Sequence, residues 1–117
     1  MSGARSYHGG QAAEESVAQL YARSGRPIAA RRWRGRSGEI DIIAREGERV
    51  VFIEVKSSAT HARAAERLSL RQQARIYGAA AEFLGREPKG SLTEARFDVA
   101  LVDATGRIEI LENAFAA

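Results

Sequence analysis

Residues 38–57 read GEIDIIAREGERVVFIEVKS, and the architecture of the chain can be predicted outward from this segment. It contains two runs rich in Ile, Val and Phe, Glu39–Glu46 and Arg49–Ser57, which are separated by Gly47 and Glu48. Glycine in the first of two turn positions suits a type II′ turn, which joins neighbouring antiparallel strands. The stretch therefore predicts a β-hairpin. Because its turn is centred between residues 47 and 48, position i of the first strand should face position 95 − i of the second.

The two strands of this hairpin carry apolar residues on both of their faces. Strict alternation of side chains places Ile40 and Ile42 on one face of the sheet, together with Ile53, and places Ile43 and Phe52 on the other. A sheet with one face in water would carry polar residues on that face. We therefore expect an α/β fold in which helices cover the sheet on both sides.

The sequence on either side of the hairpin supplies the helices and the remaining strands. Ser69 and Gln72 have the spacing of a capping box, in which each residue satisfies a backbone N–H near the other at the start of a helix. The other expected elements follow from helical or alternating apolar spacing. In chain order they are a helix over residues 11–24, a strand over residues 28–33, a helix at Leu70–Leu84, and strands at Ala95–Val102 and residues 107–111. The predicted order is helix, three strands, helix, two strands.

Length and composition restrict the class of protein. The 117 residues suffice for one domain, expected over residues 11–117, while the small, polar and glycine-rich residues 1–10 predict a flexible tail. With 44% hydrophobic and 28% charged residues the chain is typical of globular proteins. The absence of cysteine excludes disulfides, thiolate zinc sites and cysteine nucleophiles. No apolar segment of signal-peptide or membrane-spanning type is present, so we expect a cytoplasmic protein without a membrane partner.

Two carboxylates of the hairpin lie where a structural role does not explain them. The expected register places Asp41 opposite Glu54, with side chains about 5 Å apart, and like charges at that separation repel. A hard divalent cation relieves the repulsion, because Mg²⁺ prefers carboxylate oxygens and completes its shell with water and substrate phosphate. The sequence therefore predicts a site for Mg²⁺ or Mn²⁺ on this hairpin.

A lysine follows the second carboxylate at the spacing that keeps both side chains on one face. The chain has two lysines, Lys56 and Lys89, and uses arginine elsewhere, which indicates that a compact ammonium is needed at Lys56. There it could hold an attacking water or stabilise charge on phosphorus. The structural alternative is an ion-pair ladder in which Glu39 pairs with Lys56 across the hairpin while Asp41 and Glu54 reach solvent.

The motif GEID at residues 38–41, followed by IEVK at residues 53–56, resembles the D…ExK signature of the PD-(D/E)XK nuclease superfamily. More narrowly, residues 36–57 are similar to the YraN family, small proteins for which an endonuclease activity is expected and whose core reads approximately GEIDLIAR…VFVEVK. The resemblance extends to Glu14, to Trp33 and to RFDV at residues 96–99. It implies a restriction-endonuclease-like mixed β-sheet flanked by helices. It also implies a metal-dependent endonuclease acting on nucleic acid, with DNA as the expected partner and branched DNA as one candidate substrate beside flaps, single strands and RNA. A homodimer is expected by analogy with Holliday-junction resolvases.

Carried over to this chain, the resemblance assigns roles to the hairpin residues and to one helical residue. Asp41 and Glu54 would bind the metal, with the backbone carbonyl of Val55 as a further ligand, and Lys56 would assist the nucleophilic water. Glu14 matches a first-helix glutamate that completes the metal site in related resolvases. Its alternative role is that of an ordinary acid in the first turn of a helix, favoured by the helix dipole.

The resemblance also points to the second helix. Gln73 and Tyr77 stand four residues apart and resemble a glutamine–tyrosine motif of RecB-like nucleases, which adds Gln73 to the expected catalytic residues. Tyr77 is equally suited to the core. Gln72 occupies a position where YraN-like sequences usually carry a lysine, and this departure puts nucleic-acid contacts from the second helix in doubt.

Arginines form two groups in the sequence. One surrounds Trp33, and the other recurs every four residues from Arg63 to Arg75 and would form one row on a continuous helix. Such rows can follow the phosphates of nucleic acid, although a solvated helix face gives the same pattern. The expected nucleic-acid contacts are Arg31, Arg32, Arg34, Arg36, Arg71 and Arg75.

These observations leave three hypotheses for the function. The first is a Mg²⁺-dependent nuclease that hydrolyses phosphodiester bonds. The second is a non-catalytic nucleic-acid-binding or assembly module that retains the acidic site, and the third is the purely structural ion-pair ladder. The intact set Asp41, Glu54 and Lys56 favours the enzyme, because a degenerate site has no reason to retain carboxylates that repel each other.

Overall fold

A computed structural model describes the backbone of residues 2–115 and the side chains of residues 10–115. It contains a five-stranded sheet in which the strands lie in their chain order, and helices pack on both faces. The third and fourth strands pair in parallel and the other neighbours are antiparallel, so the expected α/β fold with a mixed sheet is confirmed. The elements are α1 Ser2–Arg23, β1 Ile28–Arg34, β2 Glu39–Glu46, β3 Arg49–Ser57, α2 His61–Ala65, α3 Leu70–Leu84, a 3₁₀ turn at Gly90–Leu92, β4 Ala95–Val102 and β5 Ile108–Leu111.

The β2–β3 hairpin has the predicted register. Ile42 pairs with Ile53, and the pairing continues to Glu46 and Arg49 next to the turn. Gly47 has a φ of +62°, whereas the φ of Glu48 is not positive, as a type II′ turn requires. The turn residues therefore set the register of the whole hairpin.

Strand pairing is interrupted at the level of Asp41. The β2–β3 pairs end at Ile42 and Ile53, so Asp41 and Glu54 are not backbone partners. On the other side of β2, Arg31 pairs with Ile42 and Trp33 pairs with Ile40, but Arg32 between them has a φ of 49°. A non-glycine residue in the left-handed region marks a local distortion of the strand. The β2 and β3 strands therefore separate where the two carboxylates lie.

This interruption also changes the face on which one residue lies. Ile42 packs with the core under α1, whereas Ile40 packs with the core under α3, beside Ile43. Strict alternation would put Ile40 and Ile42 on the same face, so that prediction is wrong at Ile40. The physical reason is the interruption at Asp41, which breaks the two-residue period between them.

Two main cores hold the helices against the sheet. Val17 and Tyr21 of α1 are fully buried on one face, and Ile76 and Ala79 of α3 are buried on the other. A smaller cluster joins Ala64 of α2 to β4. Both faces of the sheet are covered, as the apolar residues of the hairpin predicted.

One helix differs from its predicted extent, and the predicted arginine row is interrupted. α1 begins at Ser2 rather than at residue 11; the intervening segment has no proline to stop a helix and no periodic apolar residues to signal one, and Met1 lies outside the described residues. The predicted arginine row does not form one line, because α2 ends at Ala65 and α3 begins at Leu70.

Within the described part of the chain, no helix is long and apolar enough to cross a membrane.

Candidate active site

Asp41, Glu54 and Lys56 come together where β2 and β3 separate. The carboxylate of Asp41 accepts a hydrogen bond from the backbone N–H of Val55 at 2.8 Å. The ammonium of Lys56 lies 3.2 Å from Oε2 of Glu54. The Glu54 side chain is 5% exposed and that of Lys56 is 16% exposed, so this ion pair is largely shielded from water.

The position of Glu54 follows from the sheet. β3 remains paired with β4 through Ser57, although its pairing with β2 ends at Ile53. Ile53 and Val55 pack on the α1 side, and alternation along β3 turns Glu54 toward α3. There the side-chain amide of Gln72 donates a hydrogen bond to Oε2 of Glu54 at 2.8 Å.

The second oxygen of Glu54 accepts no hydrogen bond. Oε1 is buried, and no donor group of the residues that the structure describes binds it. When it is protonated, the carboxyl of Glu54 can donate a hydrogen bond to that of Asp41. Burial, and secondly the negative charge of Asp41, raise the pKa of Glu54 to about 8. Burial also raises the pKa of Asp41, against the hydrogen bond from Val55. The site thus holds two carboxyl groups that resist carrying their charges together.

The acidic pair offers two of the ligands that a divalent cation needs. An unpartnered, buried carboxylate oxygen beside a second carboxylate offers the oxygen donors that Mg²⁺ prefers. Among the described side chains, no three Asp, Glu or His groups converge as they would around a metal. Protein ligands to Mg²⁺ are often only one or two carboxylates, with water and phosphate in the other positions, so Asp41 and Glu54 fit such a site.

Glu14 lies near the pair but is held by another partner. Its carboxylate accepts hydrogen bonds from the guanidinium of Arg32 at 3.2 and 3.3 Å. Its negative charge still acts on Asp41 and raises the pKa of that group. Because α1 begins at Ser2, Glu14 lies well inside the helix, and its interpretation as a first-turn acid is wrong.

The ion-pair ladder expected as a structural alternative is not present. Lys56 pairs with Glu54, and Glu39 pairs with Arg34 at 3.4 Å. The reason is that β2 pairs with β3 only from Ile42 onward, so Glu39 and Lys56 do not face each other. Neither does Glu54 reach solvent as that alternative requires.

Comparison with known proteins agrees with the motif. Residues 13–102 match the model of the uncharacterised protein family UPF0102. The chain belongs to the UPF0102 family. This is the YraN family, so the family indicated by residues 36–57 is confirmed. A UPF0102 protein of Cereibacter sphaeroides (strain KD131) is 73% identical over 117 residues, which cover 100% of both chains.

More distant UPF0102 relatives also match over nearly the whole chain. A UPF0102 protein of Ruegeria pomeroyi is 61% identical over 97% of this chain and 92% of its own. A UPF0102 protein of Roseobacter denitrificans is 50% identical over 97% of this chain and 88% of its own. The UPF0102 domain therefore accounts for the fold and for the hairpin that carries the acidic pair.

Gln72 is the residue of the candidate site whose role the sequence did not reveal. As expected, Ser69 caps α3 by accepting a hydrogen bond from the backbone N–H of Gln72 at 3.1 Å. The side chain of Gln72 does not complete the capping box, however, because its amide binds Glu54. From the sequence, the capping spacing already accounts for a polar residue at position 72, so nothing indicated a contact between Gln72 and Glu54.

The neighbouring residues of the expected glutamine–tyrosine motif have other positions. Gln73 is half-buried, and Gln72 rather than Gln73 supplies the hydrogen bond to Glu54, so a catalytic role of Gln73 stays a prediction. Tyr77 packs edge-to-face on Phe97, with ring centroids 5.0 Å apart, and also contacts Phe115. Tyr77 thus takes part in the aromatic core of the α3 side.

The expected nucleic-acid arginines fall into two groups. Those of β1 are held by acids: Arg31 binds Glu15 at 2.6 Å, Arg32 binds Glu14, and Arg34 lies near Glu39. The others are exposed and form no salt bridge with the side chains of residues 10–115. These exposed arginines are Arg36, Arg71 and Arg75.

Proposed function

We propose that this UPF0102 protein is a metal-dependent nuclease that hydrolyses phosphodiester bonds in DNA, with Mg²⁺ or Mn²⁺ as its cofactor. One observation carries the proposal: Glu54 is buried with an unpartnered oxygen, next to the carboxyl of Asp41 and the ammonium of Lys56. With both carboxylates charged, the fold gains no stability from this pair, because an unsatisfied buried group and a repelling neighbour both cost free energy. Strongly perturbed pKa values of this kind are typical of functional sites.

The residues would divide the work as follows. Asp41 and Glu54 would hold the cation, with Glu14 and the backbone carbonyl of Val55 as the further proposed ligands. When bound, the cation supplies Lewis-acid polarisation of the phosphate. The hydrogen bond from Val55 fixes the Asp41 carboxylate, and that from Gln72 fixes Oε2 of Glu54, which leaves Oε1 available.

Lys56 would act on the reacting groups. Its ammonium lies within the shielded site and is anchored by Glu54, so its position is defined before substrate binds. From there it can donate a hydrogen bond to the attacking water, or to a phosphate oxygen as negative charge grows in the transition state. Ammonium groups in water-excluded sites are effective in this role, because the low dielectric strengthens their interactions.

Cleavage of defined substrates tests the proposal. Branched, duplex and single-stranded DNA would be incubated with wild-type protein and with Asp41→Asn in Mn²⁺. We expect the wild type to cut at least one of these substrates and Asp41→Asn to cut none at a comparable rate. Glu48→Gln is the matched control, because Glu48 is exposed in the hairpin turn, where it pairs with the exposed Lys89.

The outcomes separate the nuclease from a binding module. Equal cleavage by wild type and Asp41→Asn would contradict the proposed site. Tight binding by the wild type without cleavage of any substrate would instead support the non-catalytic module. Loss of cleavage in the Glu48→Gln control would show that the assay reports stability rather than chemistry.

A further inference from the structure

The arginines around the site differ in what they are bound to. On the α1 side, Arg31 and Arg32 each hold a glutamate of α1, Glu15 and Glu14. We call these two contacts the β1 ion pairs. A phosphate that binds either guanidinium must displace the glutamate or share the arginine with it. In both cases the carboxylate remains nearby and repels the phosphate.

On the α3 side, the arginines are exposed and have no such partners among the side chains of residues 10–115. Arg36 lies in the β1–β2 loop, and Arg71 and Arg75 lie on α3. We call these three residues the α3 arginine surface. Glu82 is the one acid in the sequence of α3, and its carboxylate accepts a hydrogen bond from the backbone N–H of Arg36 at 2.6 Å. That bond uses the acid to fix the loop and leaves the guanidinium of Arg36 exposed.

The β1–β2 loop packs so closely on α3 that the three arginines belong to one surface. A side chain at Gly78 would clash with Ser37, so the loop crosses the helix where the helix has no side chain. A Cβ on Gly38 would lie 3.1 Å from the Cβ of Arg75. Arg71 and Arg75 are four residues apart and therefore share a helix face.

This surface borders the acidic pair from two directions. Gly38 immediately precedes β2, which carries Asp41 three residues later. Gln72, the neighbour of Arg71, binds Glu54. The three arginines therefore flank the site on the side of the sheet toward which Glu54 and Lys56 project.

We propose that the phosphate backbone of the nucleic acid binds along the α3 arginine surface, while the β1 ion pairs contribute little to its binding. The inference rests on the proposed function and names the face on which the substrate lies. It also divides the six arginines selected from the sequence into two sets, one expected to bind phosphate and one expected to contribute little to DNA binding. The positive charge of this surface and its continuity with the acidic pair favour the phosphate backbone of a nucleic acid as the occupant, rather than an apolar protein partner.

Salt dependence of binding tests the inference without requiring cleavage. Binding of a duplex DNA would be measured in Ca²⁺ at several salt concentrations for wild type, for Arg71→Gln with Arg75→Gln, and for Arg31→Gln with Arg32→Gln. Removing one arginine–phosphate interaction lowers the slope of log K against log salt by about 0.9 on duplex DNA. We expect the Arg71 and Arg75 variant to reduce the slope by about 1.8, and the Arg31 and Arg32 variant to reduce it by less than about half of that. Thermal unfolding of both variants checks that the fold is kept.

Each outcome has a defined meaning. A larger reduction of the slope in the Arg31 and Arg32 variant, or equal reductions in both, would overturn the assignment of the face. No change in either variant would overturn it as well. If wild type cuts DNA but fails this contrast, only the inference falls. If wild type neither binds nor cuts any nucleic acid, both the inference and the proposed function fall.

Discussion

Two carboxylates are buried among the side chains of residues 10–115, and their surroundings are opposite in character. Asp98 on β4 is fully buried and has partners on both oxygens: the hydroxyl of Tyr21 at 2.7 Å, the guanidinium of Arg96 at 2.9 and 3.2 Å, and the backbone N–H of Asn113 at 2.9 Å. Glu54 on the adjacent strand has two partners on Oε2, none on Oε1 within the described chain, and a second acid beside it.

The difference separates a structural carboxylate, Asp98, from a candidate functional one, Glu54. The Asp98 network joins α1, β4 and the segment after β5, and its ion pair and hydrogen bonds compensate the cost of burial. No donor group of the described residues binds Oε1 of Glu54, whose carboxyl can only share a proton with that of Asp41. Both acids could have been named as candidates from the sequence, but only their surroundings distinguish an anchor from a site.

The largest effect on stability is expected at Asp98. Asp98→Asn removes the negative charge and leaves the guanidinium of Arg96, whose side chain is 13% exposed, without its main partner. Breaking a buried pair in this way typically costs about 3–5 kcal/mol in the free energy of unfolding. Urea denaturation measures it, with Glu48→Gln as an exposed control expected to change stability by less than about 1 kcal/mol. A loss at Asp98 no larger than that of the control would remove the contrast between the two acids.

A comparable effect, but on the reaction rate, is expected at Lys56. Lys56→Met keeps much of the apolar stem and removes the ammonium, so single-turnover cleavage should slow by about 10²–10³. Binding in Ca²⁺ should change far less, and Lys56→Arg should restore little, because a planar guanidinium does not fit the place of a compact ammonium. Lys89→Met is the matched control, since Lys89 also lies 3.2 Å from a glutamate but is exposed. Cleavage by Lys56→Met at the wild-type rate would rule out its catalytic role.

A smaller effect is expected in the pH dependence of stability without metal. The pKa of Glu54 is raised in the folded state to about 8, above the value of 4.5 for an unperturbed glutamate. The folded state therefore binds this proton more tightly, and the stability from it is complete below pH 4.5 and is lost as pH rises through about 8. Denaturation in EDTA between about pH 5 and 8.5 should show wild type losing stability relative to Glu54→Gln. Parallel curves for the two proteins would contradict the raised pKa.

The hairpin of this fold can be predicted from the sequence because local chemistry determines it. Gly47 determines the turn, the turn determines the register, and the register places Asp41 and Glu54 next to its last pair, Ile42 and Ile53. The bounds of α3 are predictable too, since Ser69 caps its start. Features set by residues adjacent in sequence can therefore be predicted from the sequence alone.

The features that the sequence did not reveal depend on packing between distant elements. The face of Ile40 depends on the interruption of pairing at Asp41, which lies beside the positive φ of Arg32 in β1. The contact of Gln72 with Glu54 depends on how α3 is rotated about its axis above the sheet. The pairing of Arg31 and Arg32 with acids depends on where α1 crosses β1. Local periodicity contains none of this information.

Titration of Mn²⁺ into the protein, followed by calorimetry, tests most directly whether the unsatisfied carboxylates are a metal site. Wild type should bind the ion. Asp41→Asn should bind it more than about 10-fold more weakly, since removing even a group that only hydrogen-bonds to a ligand costs about 10-fold or more. Without metal, Asp41→Asn should be at least as stable as wild type, because it removes the charge that opposes Glu54. Equal Mn²⁺ affinity in the two proteins, or no binding by the wild type, would contradict the metal site.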